Sequence, residues 1–132
     1  MTMQEVIDGL TRVAGVTAAT ITDYEGIVIE AQAAVGILDN ERLSAWAAQM
    51  GSLAAHTADA WDGGPLRVAS YESSMGSLML ADVGKGYLVV IGDPTVNVGM
   101  LRLEMDRAAE ELKQLLSAGF MSGDAAERAA TA

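Results

Sequence analysis

Between residues 66 and 92, three runs of strand-forming side chains follow one another almost without pause: Leu66–Tyr71, Ser77–Ala81 and Tyr87–Gly92. The gaps carry Gly76 and the triplet Gly84-Lys85-Gly86, which suit tight turns. A parallel return to the same sheet needs a crossover of about a dozen residues or more, and these gaps are too short for one. The segment is therefore restricted to an antiparallel meander. Asp93-Pro94 closes the last run.

The flanking sequence supplies the other layers. Residues 3–14 place Val6, Ile7, Leu10, Val13 and Ala14 at helical spacing, with Thr2 as N-cap and Gly15 as stop. Val16–Thr22 and Ile27–Ala31 read as strands around Asp23-Tyr24-Glu25-Gly26, a hairpin whose glycine should sit at positive φ. Residues 32–38 read as a loop or hydrophobic lead-in. The longest helix is predicted from about Asp39 to Asp62, with Leu43, Trp46, Ala47, Met50, Leu53, Ala54, Thr57 and Trp61 on its inward face and Gly63-Gly64-Pro65 as its stop. A final helix is predicted over 97–117, its apolar stripe running from Val98 through Leu101, Met105, Ala108 and Leu112. The order α-β-β-α-β-β-β-α, with an antiparallel sheet, defines an α+β layered domain. At 132 residues the chain makes one domain, read as 1–118, followed by a small, polar tail over 119–132.

Composition narrows the function. There are 8 Lys+Arg against 18 Asp+Glu, a net charge of −10, which repels nucleic acid and anionic membranes. No apolar run approaches the ~20 residues of a membrane span, and the N-terminus lacks a basic signal region, so the expected location is the cytoplasm. The absence of cysteine removes thiol chemistry, and a single histidine removes a histidine metal cluster within one chain.

No motif points to catalysis, and no cofactor or metal is expected. Gly84-Lys85-Gly86 joins strand to strand, whereas a phosphate loop joins strand to helix. Ser52, His56 and Asp59 share one helix surface, side by side, without the nucleophile–base–orienter geometry of a triad. Asp23 and Glu25 flank a turn, where carboxylates are ordinarily solvated and where calcium would want six or more oxygens. Trp46, Trp61, Met50, Met79 and Met105 are expected in the core.

What the sequence does offer is surface for association. Opposite its predicted inward face, the long helix carries Glu41, Ala45, Ala48, Ser52, Ala55 and Asp59, with Gln49 and His56 to one flank. Small residues fill the middle turns where a solvent-facing helix usually shows charge, so a second helix can approach closely. An antiparallel two-fold pair would bring Arg42 near Asp59 of the other copy. The strand Leu66, Arg67, Val68, Ala69, Ser70, Tyr71 is the second expected interface: at a sheet edge it could pair with its own copy and close a homodimer.

Three segments resemble the roadblock / dynein light-chain family, in particular its small MglB-type prokaryotic members. They are the hairpin Val16-Thr-Ala-Ala-Thr-Ile-Thr-Asp-Tyr-Glu-Gly-Ile-Val-Ile, the strand Gly86-Tyr-Leu-Val-Val-Ile-Gly-Asp-Pro, and the helix Asn97-Val-Gly-Met-Leu-Arg-Leu-Glu-Met-Asp-Arg-Ala-Ala-Glu-Glu-Leu. The resemblance implies a sheet order of 2-1-5-4-3, with the long helix on one face and the terminal helices on the other. It also implies edge-strand pairing across a homodimer, no active site, and a role as regulator or adaptor of small Ras-like GTPases in signalling. On that footing the expected partner contacts are Glu41, Arg42, Gln49, His56 and Asp59. A scaffold that engages no GTPase is the first alternative. A small-ligand sensor of PAS-like build is the second, and it would need a pocket between helix and sheet.

Overall fold

The computed structural model describes residues 1–33 and 40–120. The elements in chain order are α1 (Met3–Thr11), β1 (Val16–Asp23), β2 (Val28–Ala33), α2 (Asn40–Ala60), β3 (Val68–Ser73), β4 (Gly76–Asp82), β5 (Gly86–Gly92) and α3 (Val98–Leu115). A π-helical turn, Leu116–Phe120, follows α3. The predicted order is observed, and the sheet runs β2-β1-β5-β4-β3 with every pairing antiparallel. Most of the predicted loop over 32–38, and the tail beyond residue 120, lie outside the described residues. Gln32 and Ala33 belong to β2, and the tail prediction over 119–132 yields its first two positions to the π-helical turn.

Local chemistry explains the boundaries. At the start of α1 the Thr2 side chain accepts from the Glu5 amide, while the Glu5 carboxylate accepts from the Thr2 amide, a reciprocal cap. The helix ends at Thr11, short of the predicted residue 14, because Arg12 and Val13 turn toward Gly15 at φ 89°. In the first hairpin Gly26 sits at φ 91°, as predicted. Asp23 Oδ1 accepts from the amides of Glu25 and Ile27, each at 2.9 Å, so this carboxylate organises the turn. Asn97 caps α3 through Met100 N (2.9 Å). Just before it, hydrogen bonds from the Thr95 side chain and amide hold the Asp93 carboxyl below the usual range.

The sheet has a core on each face. On one side Ala19, Ile21, Met79, Ala81, Leu88 and Val90 pack against α1 and α3, which contribute Ile7, Leu10, Leu101, Met105 and Leu112. On the other side Ala18, Leu80, Tyr87 and Val89 pack against Leu43 and Ala47 of α2. Successive strand residues alternate between the two clusters, as the pleat requires. Because both faces are covered, β5 is buried along nearly its whole length and β1 from Ala18 to Thr22.

The inward face of α2 departs from the sequence expectation. Trp46, Leu53, Thr57 and Trp61 are exposed, while Leu43, Ser44, Ala47 and Gly51 are buried. Met50 and Ala54 are half-buried, and Met79 and Met105 are in the core as expected. The reason lies in the sheet. The Tyr87 ring stands under Gly51, where an added Cβ would fall 2.2 Å from Tyr87 Cζ. Only a glycine lets the helix settle over that ring, so α2 turns its small side toward the sheet and its large apolar side chains away from it.

Candidate interaction surface

The outward side of α2 follows from this rotation. Gln49 and His56 lie near its centre, with Trp46 and Leu53 on one side and Ala45 and Ser52 on the other, all exposed. Trp46 is 41% exposed and Leu53 is 64% exposed. From Leu43 to Ala58 the sequence contains no Asp, Glu, Lys or Arg. An exposed helix that stays uncharged for four turns is not built to face water. By contrast α3 is laced with Arg102–Asp106, Arg107–Glu104 and Lys113–Glu110 pairs at 3.4–3.5 Å, the pattern of a solvated face.

The predicted small-residue patch is accessible in most of its length. Ala45, Ser52 and Ala55 are exposed, whereas Ala48 is half-buried where the Gly26 turn leans on it. Sequence reasoning set Trp46, Leu53 and Trp61 aside as core, and so missed the largest apolar part of this surface. The uncharged stretch was the available signal.

The second component is the sheet edge. Among the described residues β3 pairs only with β4, which leaves the backbone groups of its other side without a strand partner there. Leu66 and Arg67 precede the strand: Leu66 is half-buried, and the Arg67 carbonyl accepts from Asp82 N (3.0 Å). Val68 and Ala69 are half-buried, while Ser70 and Tyr71 are exposed. Opposite Leu80 and Leu78, Ala69 and Tyr71 lie on the α2 side of the sheet. A shallow depression lined by Ala55, His56, Asp59, Gly64, Pro65 and Leu66 joins the end of α2 to this edge. Between them, Asp62 takes the left-handed conformation (φ 58°) and Gly63 N donates to the Ala58 carbonyl (2.7 Å), so the helix ends at Ala60, short of the predicted Asp62. Trp61, at 72% exposure, stands beside this exit.

Of the predicted partner contacts, Arg42, Gln49, His56 and Asp59 are exposed on α2, and the Glu41 side chain lies outside the described residues. His56 Nδ1 donates to the Ser52 backbone carbonyl at 2.7 Å, not to its hydroxyl, so no serine–histidine relay is assembled. Tyr87 occupies the space between helix and sheet that a ligand-sensor pocket would need. Among the described residues, no helix is long and apolar enough to cross a membrane.

One polar cluster braces α2 from below. Tyr24 Oη donates to Asp82 Oδ1 (2.9 Å), and its ring meets Tyr87 edge-on at 5.1 Å. Partial burial pushes the Tyr24 phenol well above the usual tyrosine range, reinforced by that hydrogen bond and the Asp82 charge. Burial and Asp82 raise Tyr87 as well. Both phenols are held neutral, so their contribution to stability is complete below the ordinary tyrosine pKa of about 10 and is lost as pH rises above it. Urea stability measured from about pH 9 to about pH 11 should therefore fall less steeply in Tyr24→Phe than in the parent. An unchanged slope would remove Tyr24 from this account.

The family comparison fits this architecture. The Roadblock/LC7 domain model matches residues 2–92, from α1 through β5. The chain belongs to the Roadblock/LC7 domain family. This Roadblock/LC7 chain is 32% identical over 113 residues to the uncharacterized protein MJ1340 of Methanocaldococcus jannaschii, covering 86% of this chain and 98% of the relative. Myxococcus xanthus MglB superposes with a TM-score of 0.81 at 24% identity, covering 88% of this chain and 95% of that one. The gliding protein MglB of Thermus thermophilus gives 0.77 at 20% identity, covering 86% and 87%. At these identities the two structures speak for the fold alone. The resemblance carried by the hairpin and last strand of this Roadblock/LC7 chain is thus confirmed at the level of family and topology.

Proposed function

We propose that this Roadblock/LC7 chain is a non-enzymatic, two-fold homodimer that binds a small Ras-like GTPase and biases its switch state. The observation that carries the reading is the exposed, uncharged face of α2 beside the open β3 edge. Pairing β3 with its copy would satisfy the unpaired edge and join two five-stranded sheets into one. The two α2 helices would then lie together, covering Trp46 and Leu53. Ala45, Ala48, Ser52 and Ala55 would let them approach closely. Gln49 and His56, near the middle of the outward face, join the dimer contact in this arrangement. Arg42 and Asp59, nearer the ends, remain with Glu41 as contacts for the GTPase.

The resemblance of the hairpin, the last strand and the final helix to MglB-type members of the family supports the GTPase as partner class. A dimer face that fits one switch-loop arrangement better than another shifts the partner toward it, without donating a catalytic group. The net charge of −10 suits a basic patch on the partner and an association rate that falls with salt. We place the complex in the cytoplasm. The test is single-turnover GTP hydrolysis by Ras-like GTPases of the source cell, with and without the purified dimer. A rate change of about tenfold or more, lost when the dimer is broken, is the expected result. No binding to any of them in either nucleotide state would overturn the reading.

A further inference from the structure

The edge of β3 that faces away from β4 has a fixed phase. The Arg67 carbonyl accepts from Asp82 N, so Arg67 turns its backbone groups toward β4. The next residue after Asp82 turns the other way: Val83 N donates to the Gly86 carbonyl at 2.9 Å. In an extended strand each residue points its N–H and C=O to one side and its neighbour points them to the other. Ala69, Tyr71 and Ser73 therefore face β4 with Arg67, while Val68, Ser70 and Glu72 present their backbone groups at the outer edge.

A two-fold axis through an antiparallel pair sets one residue opposite its own copy. With Ser70 on the axis, Val68 stands opposite Glu72 of the second copy. All three outward-facing residues of β3 then fall in hydrogen-bonded pairs, each exchanging two bonds. Centring on Ala69 or Tyr71 sets Glu72 or Val68 opposite a residue outside the strand. Centring on Glu72 sets two carboxylates face to face, which is unfavourable.

The Ser70 register brings two further features together. Met75, in the turn between β3 and β4, is 80% exposed, more than any other large apolar side chain among the described residues. It lies five residues beyond Ser70, and Pro65 lies five before, so Met75 comes level with Pro65 of the second copy. Pro65 lines the depression at the junction of α2 and β3, with Ala55 and Leu66 as its other apolar side chains.

We infer that each copy seats its Met75 in this depression of the other, over Ala55, Pro65 and Leu66, in a strand register centred on Ser70. The inference rests on the homodimer proposed above and adds what fixes its alignment. Backbone hydrogen bonds along an edge carry no sequence information and permit slippage by two residues. A methionine filling a hollow at each end does not, and its unbranched thioether side chain adapts to an irregular site.

The test uses the full chain, which contains no cysteine, so each variant carries a single thiol. Ala69→Cys, Ser70→Cys and Tyr71→Cys are oxidised with copper phenanthroline and read on non-reducing gels. Ser70→Cys is expected to link nearly completely, because the paired Cα atoms would lie about 5.5 Å apart, within disulfide reach. The other two sit a diagonal step away at roughly 7–8 Å and should link about fivefold less or weaker still. Met75→Cys and Pro65→Cys each stand roughly 30 Å or more from their own copy and should link only when mixed. Met75→Asp should raise the dimer dissociation constant about tenfold or more in sedimentation equilibrium, while Met75→Leu keeps it within about twofold. A dimer that links best at Ala69→Cys or Tyr71→Cys, or that is indifferent to Met75→Asp, overturns this inference and leaves the homodimer standing, with the depression open to another occupant. A parent chain that stays monomeric at every concentration overturns both.

Discussion

Leu53→Asp is expected to break the proposed dimer into monomers. Leu53 is 64% exposed on the uncharged side of α2, so within one protomer it supports little of the core. Covering a leucine is worth about 1.5–3 kcal/mol, and an unpaired carboxylate in the same place costs more. Two-fold symmetry doubles the insult, since each copy brings one. The dimer dissociation constant should rise by roughly 100-fold or more, about 2.7 kcal/mol, in sedimentation equilibrium. The urea midpoint of the isolated protomer and its circular dichroism should barely move. Leu103→Asp is the matched control. Leu103 is 67% exposed on α3, among the ion pairs of the solvated face, and its loss should leave the dimer intact. A dimer that survives Leu53→Asp would place the self-contact elsewhere and detach α2 from the proposed function.

Gly51→Leu is expected to cost about 3 kcal/mol of stability in urea unfolding. The first added carbon already overlaps the Tyr87 ring, at 2.2 Å from Cζ. The ring has little room to yield, being 6% exposed and set edge-on against Tyr24. Either α2 lifts from the sheet or Tyr87 swings out, and each route uncovers the cluster of Leu43, Ala47, Leu80 and Val89. Better helix propensity returns only about 1 kcal/mol. Tyr87→Ala should relieve part of the overlap, so the double variant should be more stable than the sum of the two losses predicts, by about 1 kcal/mol or more. Gly9→Leu separates steric effect from propensity: with open space above Gly9, the same substitution should be neutral or mildly stabilising there. Equal behaviour at positions 9 and 51 would refute the packing argument.

Local signals read the fold well. The short gaps at Gly76 and Gly84-Lys85-Gly86 permitted only antiparallel returns, and all the strand pairings are antiparallel. Thr2, Gly26 and Asn97 act at the boundaries by backbone chemistry that reaches only a few residues along the chain. The interaction surface was half legible. The edge strand and the small residues of α2 were found, while Trp46, Leu53 and Trp61 were assigned to the wrong side. A helix whose apolar residues spread around most of its circumference has no single face that periodicity can select.

The sequence by itself determined the elements and their turns, because those depend on neighbours close in the chain; helices on both faces of the sheet were implied only by the family resemblance. The rotation of α2 was decided only in the folded molecule. Tyr87 belongs to a strand that the helix meets solely through tertiary packing, and two atoms cannot share its place. That single exclusion turns Gly51 inward and leaves tryptophan and leucine facing out.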